Sequence, residues 1–175
     1  ALNSWDVSKV TNMYGMFSNA VNFNQSLNTW NTSNVTNMSF MFYRAKQFNQ
    51  PIYNWDISKV INMNGMFQGA KSFNQDISNW NVSNVTNVGS LFYDSISFNQ
   101  NISNWNLNNV TYCNFMFEET KAFLDKYNNG ESLPTNTNEI KEWLINNKER
   151  MNDIDIKNIH GKDIDDFFYK IENKK

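Results

Sequence analysis

The strongest constraint on this chain is a 25-residue repeat that runs five times without an insertion or deletion. Trp5, Trp30, Trp55, Trp80 and Trp105 fall in one column, and Val10, Val35, Val60, Val85 and Val110 in another. Phe17, Phe42, Phe67, Phe92 and Phe117 make a third, and Phe23, Phe48, Phe73, Phe98 and Phe123 a fourth. One extra residue would throw every later copy out of step, so a fixed count predicts copies that stack along an axis. A single copy offers about eight apolar side chains at ~1.5–3 kcal/mol each, against roughly 1–2 kcal/mol of backbone entropy per residue, so it cannot fold alone. Each coil must complete its neighbour's core.

Two periodicities lie within each copy. From Val35, the apolar residues Met38, Met41, Phe42 and Ala45 have the spacing of one face of a short helix, with Ser33 (and Ser8, Ser58 and Ser83) placed to cap it. Phe48 to Trp55 is short, apolar or aromatic and bounded by polar residues, which predicts a brief parallel strand, with Pro51 starting or bulging it. Parallel stacking would set equivalent residues about 4.8 Å apart and form rungs of Asn24, Asn49, Asn74 and Asn99 and of Gln25, Gln50, Gln75 and Gln100. The expected fold is therefore an α/β solenoid of five 25-residue turns, each with a short parallel strand and a short helix.

The fifth copy diverges, with Leu124 and Asp125 in place of Asn and Gln, Thr120 in the Ala column and Asn108 in the Ser column. Divergence of this kind marks a closing repeat. Residues 1–127 form the expected repeat unit and 128–175 a linker with a helical cap. Within the latter, Glu139 to Met151 reads as an amphipathic helix capped by Asn138, and Ile164, Phe167, Phe168 and Ile171 have the spacing of a second. Ile154, Ile156 and Ile159 lie between, without assignment. Leu2 already occupies a repeat column, so the expectation is a fragment that opens mid-repeat, with any export signal upstream.

The consensus VxxMxxMFxxAxxFNQx[LI]xxWxxS resembles that of the BspA-like leucine-rich-repeat surface proteins, in particular the repeat of mollicute surface lipoproteins. The resemblance covers Leu2 to Phe123 and implies a leucine-rich-repeat-like, non-enzymatic protein exposed at the bacterial surface or secreted and concerned with adhesion or antigenic variation. It supplies no binding residues, and 128–175 lie outside it.

Chemistry is hard to assemble from these residues. Net charge is −2 with no basic block, which argues against a nucleic-acid partner. No apolar run is long enough to span a bilayer. His160 is the only histidine and sits in a loop-like IHGKD; Asp153 with Asp155, and Asp163 with Asp165 and Asp166, lack cation-loop spacing. Cys113, the only cysteine, replaces a core methionine, and the methionine columns read as core filler. The Asn-X-Ser/Thr triplets at Asn31, Asn34, Asn81, Asn84 and Asn109 recur with the repeat and read as structure, not glycosylation. No cofactor, metal or catalytic set is expected.

Binding is the expected role, through positions that vary between fixed core columns. Near the expected strand these are Ser26, Asn28, Tyr53, Asp76 and Asn101; on the expected helix side, Phe40 and Phe115 stand where Gly15 and Gly65 do, and Tyr43 and Tyr93 where Ser18 and Gln68 do. The partner would be a protein or glycan, such as a host surface or matrix molecule. The alternatives are a structural spacer or antigenic decoy, or a mount for a partner-binding C-terminal segment.

Overall fold

A computed structural model describes residues 2–159. Equivalent residues of the five copies do lie on one another in register, joined by single parallel bridges Asn12 to Asn37, Asn37 to Asn62, Asn62 to Asn87 and Asn87 to Tyr112. The expected α/β solenoid with a strand and a helix in every turn is nevertheless wrong. The described residues contain no strand and no sheet, and their helices are a 3-10 turn, Leu2–Ser4, then α1, Lys121–Tyr127, and α2, Thr137–Asn146, followed by a helical stretch through 148–159. Nor does the leucine-rich-repeat likeness hold for the fold, because no coil contains the parallel strand it implies.

The reason lies in how the backbone N–H groups alternate. In the second coil the N–H groups of Met38, Phe40, Phe42 and Arg44 donate across to Asn62, Asn64, Met66 and Gln68 of the third. The residues between them turn inward on their own coil: Met41 N–H donates to Met38, Tyr43 to Phe40 and Ala45 to Phe42. A helix would need every N–H directed along its own axis, and a ladder needs a run of bridged residues; alternation provides neither. Left-handed residues enforce it, at Phe40 (φ 56°) and Arg44 (φ 54°) here and at Gly65 (φ 58°) and Gly69 (φ 69°) one coil later. Such residues interrupt a right-handed helix wherever they occur. The apolar spacing that suggests a helix is thus the spacing of successive three-residue turns.

The serines are not helix caps either. Asp6, Asn31, Asp56 and Asn81 each accept the N–H of the serine two residues on, at 2.9–3.2 Å, making Asx turns instead. Where a strand is expected after Phe48, side chains take over the pairing. Asn24 Oδ1 accepts Asn49 N–H, Asn49 Oδ1 accepts Asn74 N–H and Asn74 Oδ1 accepts Asn99 N–H, each at 2.9 Å, so the amide rungs are real but bond to the next coil's backbone. Pro51 therefore neither starts nor bulges a strand.

The core is a double file of phenylalanines. Within a coil the two rings lie 3.8–4.4 Å apart, as for Phe42 and Phe48 or Phe117 and Phe123. Between coils the spacing is 5.6–6.3 Å. Trp30, Trp55, Trp80 and Trp105 are buried beside them, and each indole N–H donates to a carbonyl of the preceding coil at 3.0–3.3 Å. Trp5, at the end, remains 54% exposed.

The other end is closed. Cys113 N–H donates to Thr137 Oγ1 and Phe115 N–H to Thr135, both at 2.9 Å, so 135–137 runs antiparallel to the coils and stops the parallel pattern. Asn136, not Asn138, caps α2, its side chain accepting Glu139 N–H. Leu124, Tyr127, Leu133, Ile140, Leu144 and Met151 are buried in the closure. Ile154, Ile156 and Ile159, unassigned from sequence, are helical. His160, the aspartates at 163, 165 and 166, and the expected helix from Ile164 to Ile171 lie outside the described residues.

Candidate functional site

The variable positions separate into two groups. Ser26, Asn28, Tyr53, Asp76 and Asn101 follow one side of the stack, but their polar atoms are largely engaged. Ser26 Oγ donates to Asn28 Oδ1 at 2.9 Å, and Asp76 Oδ1 accepts Ser78 N–H at 2.9 Å. Asn101 accepts Ser103 N–H and donates to Asn152 Oδ1 at 2.9 Å, so the C-terminal helical part occupies it. Tyr53 is exposed, with its carbonyl accepting Asn79 Nδ2.

The second group is more concentrated. Phe40 packs its ring edge to face with Tyr43 at 5.8 Å and with Tyr14 at 5.9 Å. The Arg44 guanidinium lies 5.0 Å from the centre of the Tyr43 ring, a distance at which a cation is attracted to the ring's negative face. Together with Gly15, Ser18 and Gln68 the three rings line a shallow depression of about 430 Å³. The Phe40 ring lies against a glycine of the next coil, since a Cβ on Gly65 would stand 2.5 Å from it. Phe40 occupies its left-handed conformation where Gly15 and Gly65 occupy the same one, so a bulky side chain is held where glycine fits without strain.

Tyr14 is the member of this cluster that sequence reasoning misses. Its signal is present: the column Tyr14, Ser39, Asn64, Gly89 and Asn114 holds one aromatic among small or polar residues. Tyr93 and Phe115 share the columns of Tyr43 and Phe40 but stand two and three coils away, outside the depression. Phe115 is 44% exposed. Nearby, Tyr112 leans back over Gly89, where a Cβ would meet its ring at 2.3 Å.

The family model described as "Mycoplasma protein of unknown function, DUF285" matches residues 1–63 and, a second time, 50–156. The chain belongs to this family. No curated protein and no solved structure matches it significantly. The second DUF285 match runs through α2 and into the helical stretch that follows.

Electrostatics in this DUF285 chain serve structure. The Ser58 hydroxyl and backbone N–H hold the Asp56 carboxyl below its ordinary value, and Ser8 does the same for Asp6. Burial pushes the Cys113 thiol up, so it stays protonated; its Sγ donates to the Thr137 carbonyl. Burial, then the bond to Asp155, raises the Tyr127 phenol strongly, keeping it the donor to a carboxylate that also pairs with Lys126 at 2.7 Å. Among the described residues no three His, Cys, Asp or Glu side chains are grouped to hold a metal, and no helix is long and apolar enough to cross a membrane.

Proposed function

We propose that this DUF285 chain is a non-enzymatic binding module, displayed at the bacterial surface, that engages a protein or glycan through its outward variable positions. The observation that carries the reading is the Tyr14, Phe40 and Tyr43 cluster with Arg44 beside it. Aromatics and arginine dominate the energetics of recognition surfaces, and Tyr14 is 62% exposed on a surface otherwise rich in asparagine. The likeness of the repeat to BspA-like surface proteins supports display outside the cell.

The test uses the chain's own alternatives. Replacing Phe40 with Gly and Tyr43 with Gln rewrites the second coil with residues that the third carries as Gly65 and Gln68, so the fold tolerates them. Both proteins are screened against host matrix proteins and a glycan array, with folding checked by thermal melting. A binder that loses about 30-fold in affinity on the double change supports the proposal, in line with ~2 kcal/mol for a recognition hot spot. Equal binding by the variant, or no binder for the folded wild type, overturns it.

A further inference from the structure

A cavity of about 420 Å³ lies where the helical stretch 148–159 meets the fourth and fifth coils. Lys126 and Asp155 form part of its wall and satisfy each other at 2.7 Å, with Tyr127 donating to the same carboxylate and the Asn99 carbonyl accepting from the ammonium. Other side chains of the lining keep unused polar capacity. Asp76 gives Oδ1 to Ser78 N–H while its Oδ2 accepts nothing, and Gln100 donates through Nε2 to Asn74 and leaves Oε1 free. The Ser78 hydroxyl and the Asn104 and Asn158 amides make no hydrogen bond among the described residues. For Asn104 the repeat supplies its own control. Its counterparts Asn54 and Asn79 donate to the carbonyls of Asn28 and Tyr53 in the coil before, at 2.5 and 3.3 Å. The matching acceptor for Asn104 is the Ser78 carbonyl, which receives no such bond. Asn104 departs from the pattern in the coil where Asn101 is bonded to Asn152 at 2.9 Å and the helical stretch builds the facing wall.

We propose that this cavity is a binding site for a neutral pyranose unit. Each sugar hydroxyl both donates and accepts, which suits two free amides, a hydroxyl, an amide oxygen and a carboxylate oxygen better than a ligand of one polarity does. An anion would meet the Asp76 carboxylate, and the cation of the lining, Lys126, is already taken by Asp155. A divalent ion would lack ligands, since no three His, Cys, Asp or Glu side chains are grouped for one among the described residues. An apolar molecule would leave these polar groups buried and unpaired. Ile159, the apolar side chain of the lining, is enough for the C–H face of one sugar ring. The volume falls within the roughly 300–1,000 Å³ usual for small-molecule sites. The cavity shares no residue with the depression beside Phe40, so it stands apart from the cluster that carries the binding role proposed above.

The experiment follows the side-chain amide resonances of the full chain by NMR, with Asn104→Ala and Asn158→Ala variants assigning the two free amides. Neutral hexoses and N-acetylhexosamines are titrated in, with glucuronate as the anionic comparison. At least one neutral sugar is expected to shift both amides saturably, with a Kd on the order of 1 mM, and glucuronate to shift neither. Asn104→Ala and Asn158→Ala, both at exposed positions, should each weaken that sugar about 10-fold, read at the remaining cavity amides, and leave Tm unchanged. Phe40→Gly with Tyr43→Gln should leave it bound, which separates failure here from failure of the aromatic cluster. Presenting the same sugar at the end of an immobilised glycan distinguishes a chain-terminal unit from a free one, and binding in either form supports the proposal. It falls if no neutral sugar gives a saturable shift at these amides in the folded chain, if glucuronate binds as tightly as the neutral sugars, or if binding survives both alanine changes.

Discussion

Truncating Phe67 to alanine removes the middle ring of the inner phenylalanine file. The ring is fully buried, 3.9 Å from Phe73 within its coil and 5.7 and 5.9 Å from Phe42 and Phe92 on either side. Losing roughly 120 Å² of buried apolar surface at ~25 cal/mol per Å² costs about 3 kcal/mol. Lost ring contacts and the cavity bring this to about 4 kcal/mol, within the ~3–5 kcal/mol seen for such truncations. That is a large share of the ~5–15 kcal/mol available to a domain and corresponds to a fall in Tm of roughly 8–16 °C. Phe17→Ala should cost about half as much, since Phe17 has a neighbouring coil on one side only and is already 9% exposed. Phe67→Leu, which keeps most of the volume but not the stacking, should fall at about 1–2 kcal/mol. Urea unfolding followed by tryptophan fluorescence measures all three. A Phe67→Ala cost below about 1.5 kcal/mol, or one equal to that of Phe17→Ala, would refute the idea that stability resides in the junctions between coils.

Other consequences are equally direct. Asn74→Ala strips the acceptor from Asn99 N–H and from Gln100 Nε2 at 2.9 and 2.8 Å, and should cost about 1–3 kcal/mol in urea unfolding, whereas Asn74→Asp, which keeps the oxygen, should cost less. Gly65→Ala, at φ 58° with a Cβ 2.5 Å from the Phe40 ring, should cost about 1–3 kcal/mol, and combining it with Phe40→Gly should return the part due to the clash in a double-mutant cycle. Asp56 has a depressed pKa, so the stability it contributes is present above the ordinary aspartate value of about 3.9 and is lost as pH falls through the depressed one. Asp56→Asn keeps the Asx turn, as Asn31 and Asn81 do, and should leave Tm at pH 7 unchanged while lessening the fall below about pH 4 in a thermal-melt series; an unchanged acid limb would refute the assignment.

Much of the architecture is legible in the period. Stacked phenylalanine and tryptophan files and the amide rungs follow from column identity, because a 25-residue count with constant inward side chains leaves few other ways to bury them. Local backbone geometry is less legible. Val35, Met38, Met41, Phe42 and Ala45 have the spacing of a helix face, yet the same spacing serves a chain that turns every three residues. The distinguishing sign is that glycine recurs in the columns of Gly15 with Gly65 and of Gly69, interspersed with Asn19 and Arg44, and left-handed backbone is what those columns have in common. The serine column suggests a helix cap, but the Asx residue two places before it in every coil, Asn106 before Asn108 in the fifth, is the better guide. The depression beside Phe40 needs Tyr14 from the coil before, and contacts across coils do not show in one copy's pattern.

Alternation of the N–H groups also explains how the surface can vary without cost to the core. On the side that carries Phe40 and Tyr43, the hydrogen bonds between and within coils are made by backbone alone, so these outward side chains contribute little to holding the junction. Phe40 tests this most sharply. Its left-handed conformation costs ~1–2 kcal/mol relative to glycine, while Gly65 beneath the ring and the edges of Tyr14 and Tyr43 return a similar amount through packing on a half-buried ring. Phe40→Gly should therefore lie within about 1 kcal/mol of wild type in urea unfolding, far from the ~4 kcal/mol expected of Phe67→Ala one coil away. A residue whose removal leaves stability unchanged but abolishes partner binding is held in the chain by recognition. If Phe40→Gly instead costs more than about 2 kcal/mol, the aromatic cluster is part of the packing and the binding surface must be sought elsewhere on the stack.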